Sequence, residues 1–316
     1  MRRPIYIALA LVLGAVPAFA QDGISIDFTT VARTEGMYTA EASTSKLSMG
    51  SSSLYTLVDA SLGGGWSLSV CNHWLQEGPD ALYRNSKYAW ENDWLDWAKL
   101  SFETGSLCFT LGKDILSVGG MEMDEYDFDC YDQLMSNTWY GLACYQWGGK
   151  VAWTFADANS IEFQIASAPT SELYFKNFAY SLCWRGEPYE NFSTIWSANV
   201  FGNGSGEDSD WMFALGNRYD MGDLSFTYDL YIYKEALSGK HSPTFDQTLS
   251  AVYSGIVDGL DLTAKAGFYD SDKLYGGLGV EYRPSFTDSD CRLHLVAGAH
   301  PLFGGFTLTS GITFVL

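Results

Sequence analysis

The sequence predicts an all-β chain folded as a closed antiparallel transmembrane β-barrel of about sixteen strands. Three observations predict it. Apolar and polar side chains alternate at period two in about sixteen segments of roughly ten residues each, the length a tilted strand needs to cross a bilayer. Aromatic residues make up 16% of the chain and Gly numbers 32 against 8 Pro, a composition suited to strands and to aromatic belts at a membrane interface. The connections alternate between short turns and longer loops, as expected when one end of a barrel carries tight turns and the other carries surface loops.

Residues 1–20 carry the marks of a secretory leader. Arg2 and Arg3 supply the charged start and Ile5–Val16 the apolar core, and Ala18-Phe19-Ala20 the small-residue cleavage site. The expected organisation is therefore a leader over 1–20 and one barrel domain over 21–316. No apolar run after the leader approaches the ~18 residues of a spanning helix, so any crossing of the bilayer falls to strands.

The first strand is expected over 23–32, with Ile24, Ile26 and Phe28 opposite Ser25, Asp27 and Thr29. A polar stretch runs from there to Ser52. Strands follow over 53–62 and 66–75, split by Gly63-Gly64-Gly65, and over 94–103 and 107–112, split by Gly105-Ser106. A long strand over 139–155 is interrupted by Gly148-Gly149, which predicts a bulge or a hidden hairpin. Strands over 161–168, 175–185, 192–202, 211–220 and 224–235 come next, with Gly186-Glu187-Pro188 as a turn. The series closes with 245–255, 260–269, 275–284, 291–299 and 306–316. In the last, Phe306, Leu308, Ile312 and Phe314 alternate with Thr307, Thr309, Gly311 and Thr313. An even tally puts both ends of the chain on one side of the barrel. A last strand suited to pair with the first would leave no open edge in lipid.

The connection after the fifth strand is the candidate functional segment. It begins at Gly112-Lys113, turns at Gly119-Gly120, and sets Asp114, Glu122, Asp124, Glu125, Asp127, Asp129 and Asp132 against one base, Lys113. A charge run by itself is usually a solvated loop. Its place in the strand series favours a loop folded into the lumen, where it would set pore width and charge. By parity, Lys265, Arg283, Arg292 and Arg218 fall on the polar face, and Lys99 is a further candidate for a base opposite the loop.

The formal charge is −20, and −22 once Arg2 and Arg3 are removed. That balance excludes nucleic acid as a partner, because phosphate binding needs a basic surface. Cys71, Cys108, Cys130, Cys144, Cys183 and Cys291 show no metal-site spacing. Most fall within strands as small apolar fillers, and an exported chain also permits a disulfide. No cofactor or metal site is expected.

The segment Trp97-Ala98-Lys99-Leu100-Ser101-Phe102, then Leu107-Cys108-Phe109-Thr110-Leu111-Gly112-Lys113, Gly119-Gly120-Met121-Glu122 and Tyr126-Asp127, resembles Gram-negative outer-membrane porins. The nearest likeness is to the phosphate-selective porin O and P-like group of Bacteroidetes type. The resemblance implies a water-filled diffusion channel in the outer membrane, with a third loop folded into the pore. It further implies lipid and small hydrophilic solutes or ions as partners and, by analogy of fold, a homotrimer. Anion-selective members line the pore with Arg and Lys. Here the loop is acidic, so phosphate selectivity does not carry over and a cation preference is expected.

Two other classes compete. A soluble or surface protein could use Asp124, Asp127, Asp129 and Asp132 for calcium, but these lack the ligand order and late Glu of an EF-hand. A hydrolase would need one of His73, His241, His294 and His300 beside a nucleophile, for example His294 with Ser310 or Thr309. Neither G-x-S-x-G nor H-E-x-x-H occurs, so the chain is not expected to be an enzyme.

Overall fold

The structure, a computed structural model, describes residues 24–41, 44–48, 52–75, 94–125, 131, 134–171, 173–202, 209–234, 243–270, 273–285, 290–300 and 305–316. The expected leader lies outside the described residues. The strands are β1 (Ser25–Ala40), β2 (Ser45–Ser48), β3 (Ser53–Gly63), β4 (Trp66–Leu75), β5 (Leu95–Thr104), β6 (Leu107–Ile115), β7 (Tyr145–Ala156), β8 (Asn159–Ser167) and β9 (Phe178–Tyr189). They continue as β10 (Phe192–Gly202), β11 (Ser209–Met221), β12 (Leu224–Lys234), β13 (Thr244–Tyr253), β14 (Leu260–Tyr269), β15 (Lys273–Tyr282), β16 (Asp290–His300) and β17 (Gly305–Val315). Two one-turn helices, α1 (Glu122–Glu125) and α2 (Asn137–Gly141), lie between β6 and β7.

From β3 to β17 each strand pairs antiparallel with the next in sequence. β1 closes the ring. Its first part pairs with β3, from Ser25↔Ser61 to Arg33↔Ser53, and its second part with β17, from Val31↔Val315 to Ala40↔Phe306. Thr30 and Leu316 exchange backbone hydrogen bonds of 2.8 and 2.9 Å at the seam. β2 is a four-residue arm folded back on the end of β1. The result is a closed antiparallel 16-strand barrel.

The polarity of its faces is inverted relative to a water-soluble sandwich, whose apolar face points inward. In β8, Glu162 and Gln164 are buried while Ile161, Phe163 and Ile165 are exposed. In β17, Thr307, Thr309 and Thr313 are buried while Phe306, Leu308 and Phe314 are exposed. An apolar outer wall and a polar lumen are what lipid outside and water inside require. Exposed rings gather near both ends of the wall. Trp153, Phe155, Tyr189, Tyr219 and Tyr253 lie toward the short turns, and Trp74, Trp94, Phe178, Phe245 and Phe306 toward the longer loops.

Several elements differ from expectation. β1 does not stop near 32. It continues to Ala40, because β17 and β2 extend its pairing beyond the part held by β3. The long strand over 139–155 is instead α2 followed by β7. Ser136 caps α2 by accepting from the Trp139 backbone N–H. Pairing runs unbroken through Gly148 and Gly149, and the irregularity in β7 comes at Thr154/Ala156. Gly148 is there for closeness: a Cβ would collide with the Ile165 carbonyl. Its register partner Gly112 has φ +135° and a Cβ there would collide with the Ala98 carbonyl. Gly186-Glu187-Pro188 is no turn. These residues lie within β9, whose pairing with β10 shifts register between Phe192 and Thr194, and Asn191 (φ 61°) takes the turn. Cys71, Cys108, Cys144, Cys183 and Cys291 carry free thiols, and Cys130 lies outside the described residues.

These glycines give a direct test. Gly112→Ala is expected to cost about 1–3 kcal/mol, the range for a non-Gly residue forced into a disfavoured backbone conformation. Gly36 is also in a strand, but it has open space around its Cβ position. Gly36→Ala should change stability by less than about 0.5 kcal/mol. Urea unfolding of the refolded barrel checks both, and equal effects would refute the steric account.

Candidate pore constriction

The connection from Ile115 to Tyr145 folds its described residues into the lumen, against the inward face of β8–β12 at one side and of β15 and β16 at the other. Its base is closed by the Leu116 N–H donating to the Cys144 carbonyl at 2.8 Å. Gln164 then holds the departing chain from both sides: its Oε1 accepts from Ser117 N at 2.7 Å and its Nε2 donates to the Ile115 carbonyl at 3.0 Å. Gly119 and Gly120 lie flat against the wall of β10–β12. Gly119 N donates to Ser197 Oγ at 2.7 Å and Gly120 N to the Ile195 carbonyl at 3.1 Å. A Cβ on Gly119 would stand 2.7 Å from the Ala214 and Ile195 carbonyls, and one on Gly120 (φ +111°) would strike the Tyr231 hydroxyl. Only glycine lets the backbone approach this closely. Met121 N donates to Asp229 Oδ1 at 2.7 Å.

Glu122 is the central anchor. It forms an ion pair with Lys265 of β14, accepts from Ser136 N at 3.0 Å and accepts from the Tyr231 hydroxyl at 3.2 Å. Both side chains of the ion pair are only 1% exposed. Farther along, Asp246 Oδ2 accepts from the backbone N–H and the hydroxyl of Thr138, both at 2.8 Å. Asp246 Oδ1 accepts from the Tyr275 hydroxyl at 2.7 Å, and Trp139 Nε1 donates to the Tyr231 hydroxyl at 2.9 Å.

Apolar contact supplements these bonds. Leu116, Val118, Met135 and Trp139 pack with Ala166, Ala179, Phe201, Met212, Ala214 and Tyr231 on the wall. Fully burying a side chain of the Leu, Val or Met size contributes about 1.5–3 kcal/mol. On the far wall the strands make room for the loop. A Cβ at Gly279 would collide with Tyr131, and one at Gly277 or Gly298 would press on Leu134.

The sequence-predicted residues separate into groups. Asp114 is on the wall, in β6, with Lys99 Nζ at 2.8 Å and Lys150 Nζ at 2.9 Å. Lys150 approaches Glu162 at 3.9 Å, Glu162 pairs with Arg185 Nε at 3.0 Å, and Arg185 Nη1 reaches Asp124 of α1 at 2.8 Å. A line of alternating charge therefore runs across β5–β9 and ends on the loop. Lys113 is buried; it donates to the Leu95 carbonyl and lies 5.9 Å from the Tyr174 ring. Arg283 pairs with Asp261 at 2.8 Å and with Glu281, and Arg292 with Asp290 at 3.0 Å. Both stand at the short-turn end of the barrel, away from the base of the loop. Glu125 belongs to α1 by its backbone. Asp127, Asp129 and Asp132 lie outside the described residues.

Lys150, Glu162 and Arg185 are not among the sequence-predicted residues. Strand parity could have found Lys150 and Glu162. Arg185 was hidden because β9 was placed too early. The seam of the barrel carries one more buried group: His294 Nε2 is 3.1 Å from Glu35 Oε2, and Arg33 Nε is 3.8 Å from the same oxygen. Among the described residues no cluster of three or more His, Cys, Asp or Glu side chains has the geometry to hold a metal.

No family model matches the chain, and no curated protein matches it in sequence. Solved structures do. The outer membrane channel DcaP of Acinetobacter baumannii superposes with a TM-score of 0.65 at 11% identity, over 94% of this chain and 99% of that one. The anion-selective porin from Comamonas acidovorans gives 0.63 at 12%, over 93% and 100%. OmpT of Vibrio cholerae, an outer membrane protein in its trimer form, gives 0.62 at 14%, covering 93% of this chain and 100% of that one. At these identities the likeness shows the fold alone, a closed β-barrel of the outer-membrane kind.

The buried anchor has a measurable signature. Lys265→Met leaves Glu122 buried without its base and is expected to cost about 3–5 kcal/mol. The double variant Glu122→Gln with Lys265→Met should cost less than the sum of the two single changes. Denaturant unfolding of the three variants checks this, and strict additivity would show that the two side chains do not act as a pair. By contrast, Arg185–Asp124, at 34% and 49% side-chain exposure, belongs to the class of solvated pairs worth at most about 1 kcal/mol.

Proposed function

We propose that the chain is an outer-membrane porin of a Gram-negative bacterium, a passive diffusion channel for small hydrophilic solutes with a preference for cations. The observation that carries this reading is the loop laid across a polar lumen inside an apolar, closed wall. A barrel of this strand number leaves an aqueous passage unless it is obstructed. A loop bonded across the lumen narrows the passage while leaving the barrel rigid. The short turns would face the periplasm and the longer loops the exterior. Lipid surrounds the wall, and a homotrimer is the assembly suggested by the trimer form of the Vibrio protein. The likeness to the phosphate-selective group supports the class and not the ligand.

The charge argument rests on the excess rather than on the pairs. Asp114, Glu162, Asp124 and Glu122 are each matched by Lys99, Lys150, Arg185 or Lys265. Glu125, Asp127, Asp129 and Asp132 are further carboxylates of this segment, within a chain whose net charge is −20. Such a segment at the constriction would raise the local cation concentration.

In a planar bilayer with a potassium chloride gradient, the reversal potential should have the sign of cation preference. Replacing Asp127, Asp129 and Asp132 together by Asn should move it toward zero. A reversal potential favouring anions would overturn the cation preference, and a protein that inserts but carries no current would overturn the channel itself.

A further inference from the structure

The wall carries a pair of carboxylates that neither the loop nor the line of alternating charge takes up. Asp27 of β1 and Asp59 of β3 are direct register partners. Their neighbours fix the face they take. Ile26 and Phe28, on either side of Asp27, are 58% and 64% exposed on the lipid side, so Asp27 turns inward and Asp59 with it. Both are exposed, and among the described residues neither forms a hydrogen bond or an ion pair. The bases that share this stretch of wall are committed elsewhere. Lys99, reached through Ser69, pairs with Asp114, and Arg33 lies beside Glu35. Like charges directly opposite on a sheet work against folding, so the pair is not there to hold the barrel together. It does face water. Ser197, Asp229, Asp246 and Lys265, which hold the loop, are buried. On β3–β5 the inward face is open instead: Asp59, Ser61 and Ser67 are exposed, and Ser69, Lys99 and Ser101 are half-buried.

We propose that Asp27 and Asp59 are specificity-determining residues of the passage, a carboxylate pair on the wall that draws cations along the open inward face of β1 and β3–β5. The inference deepens the channel reading and rests on it. Directly opposed side chains on a sheet have Cβ atoms roughly 5 Å apart, so the two charges act on a passing ion together. A lumen enclosed by low-dielectric walls focuses such a field into the water it holds. With Lys99 and Arg33 already matched, that field favours a cation over an anion.

The test is the reversal potential in a planar bilayer under a potassium chloride gradient, measured for the unaltered protein and for Asp27→Asn combined with Asp59→Asn. The double variant is expected to lower the potassium-over-chloride permeability ratio about twofold or more, the order set by removing solvated charge near an ion's path. Asp59→Lys should lower it further. Asp258→Asn, at an exposed carboxylate in the β13–β14 turn, should leave it unchanged. Raising the salt to about 1 M, where the Debye length is roughly 3 Å, should shrink the difference between the unaltered protein and the double variant. Asn matches Asp in size and removes a like-charge opposition, so the double variant should keep native migration on unboiled gels and lose no stability in urea. A loss would mark the pair as structural and overturn the assignment. An unchanged ratio in the double variant overturns the pair alone. A fall from a ratio already below one keeps the pair and defeats the cation preference of the channel. Insertion of the unaltered protein without current defeats the channel reading and the pair with it.

Discussion

A sheet that crosses lipid has no water to satisfy its edge amides, so it has to close on itself. In this protein closure depends on β1, which is long enough to hold β3 with one part and β17 with another. Everything else follows from that ring. Closure turns one face of every strand inward, which is why Thr, Ser, Gln and Asp are buried while Phe, Leu and Ile are exposed. It also creates a lumen that sixteen strands cannot fill with their own side chains.

The loop between β6 and β7 occupies part of that lumen, and it is held by two kinds of interaction with different physical roles. Backbone N–H groups of Ser117, Gly119, Gly120, Met121, Ser136 and Thr138 all find acceptors on the wall or within the loop. A chain segment away from water needs those partners simply to exist there. The Glu122–Lys265 pair sets position instead. An ion pair this buried contributes little net stability, but losing one partner is expensive, so it penalises alternative placements of the loop. The wall is shaped for the same purpose, with Gly277, Gly279 and Gly298 recessed where Tyr131 and Leu134 come in.

The charges of the constriction are less lopsided than the acidic run suggests. Lys99, Lys150, Arg185 and Lys265 meet Asp114, Glu162, Asp124 and Glu122, Asp229 and Asp246 meet loop N–H groups, and the line Lys99–Asp114–Lys150–Glu162–Arg185–Asp124 runs from wall to loop. The described charges of the constriction therefore form an ordered line of alternating sign.

Period-two alternation is a local property, and it was legible residue by residue: the strand number, the inward face of β17, the inward placing of Lys265 and the loop after the fifth spanning strand all follow from it. Boundaries were less legible where glycine served closeness instead of turning, as at Gly148 and Gly186, because a glycine's neighbour across a sheet is invisible along the chain. Partnerships were the least legible. Lys265 was recognisable as an inward base, but its meeting with Glu122 spans 143 positions, and the meeting of Thr138 with Asp246 spans 108. Arg283 and Arg292 were on the polar face too, yet they pair with neighbouring carboxylates at the other end of the barrel. Side-chain parity fixes which face a residue takes. Its height in the lumen and the loop atom it meets come from strand stagger and the curvature of the closed sheet, and those exist only once the ring has formed.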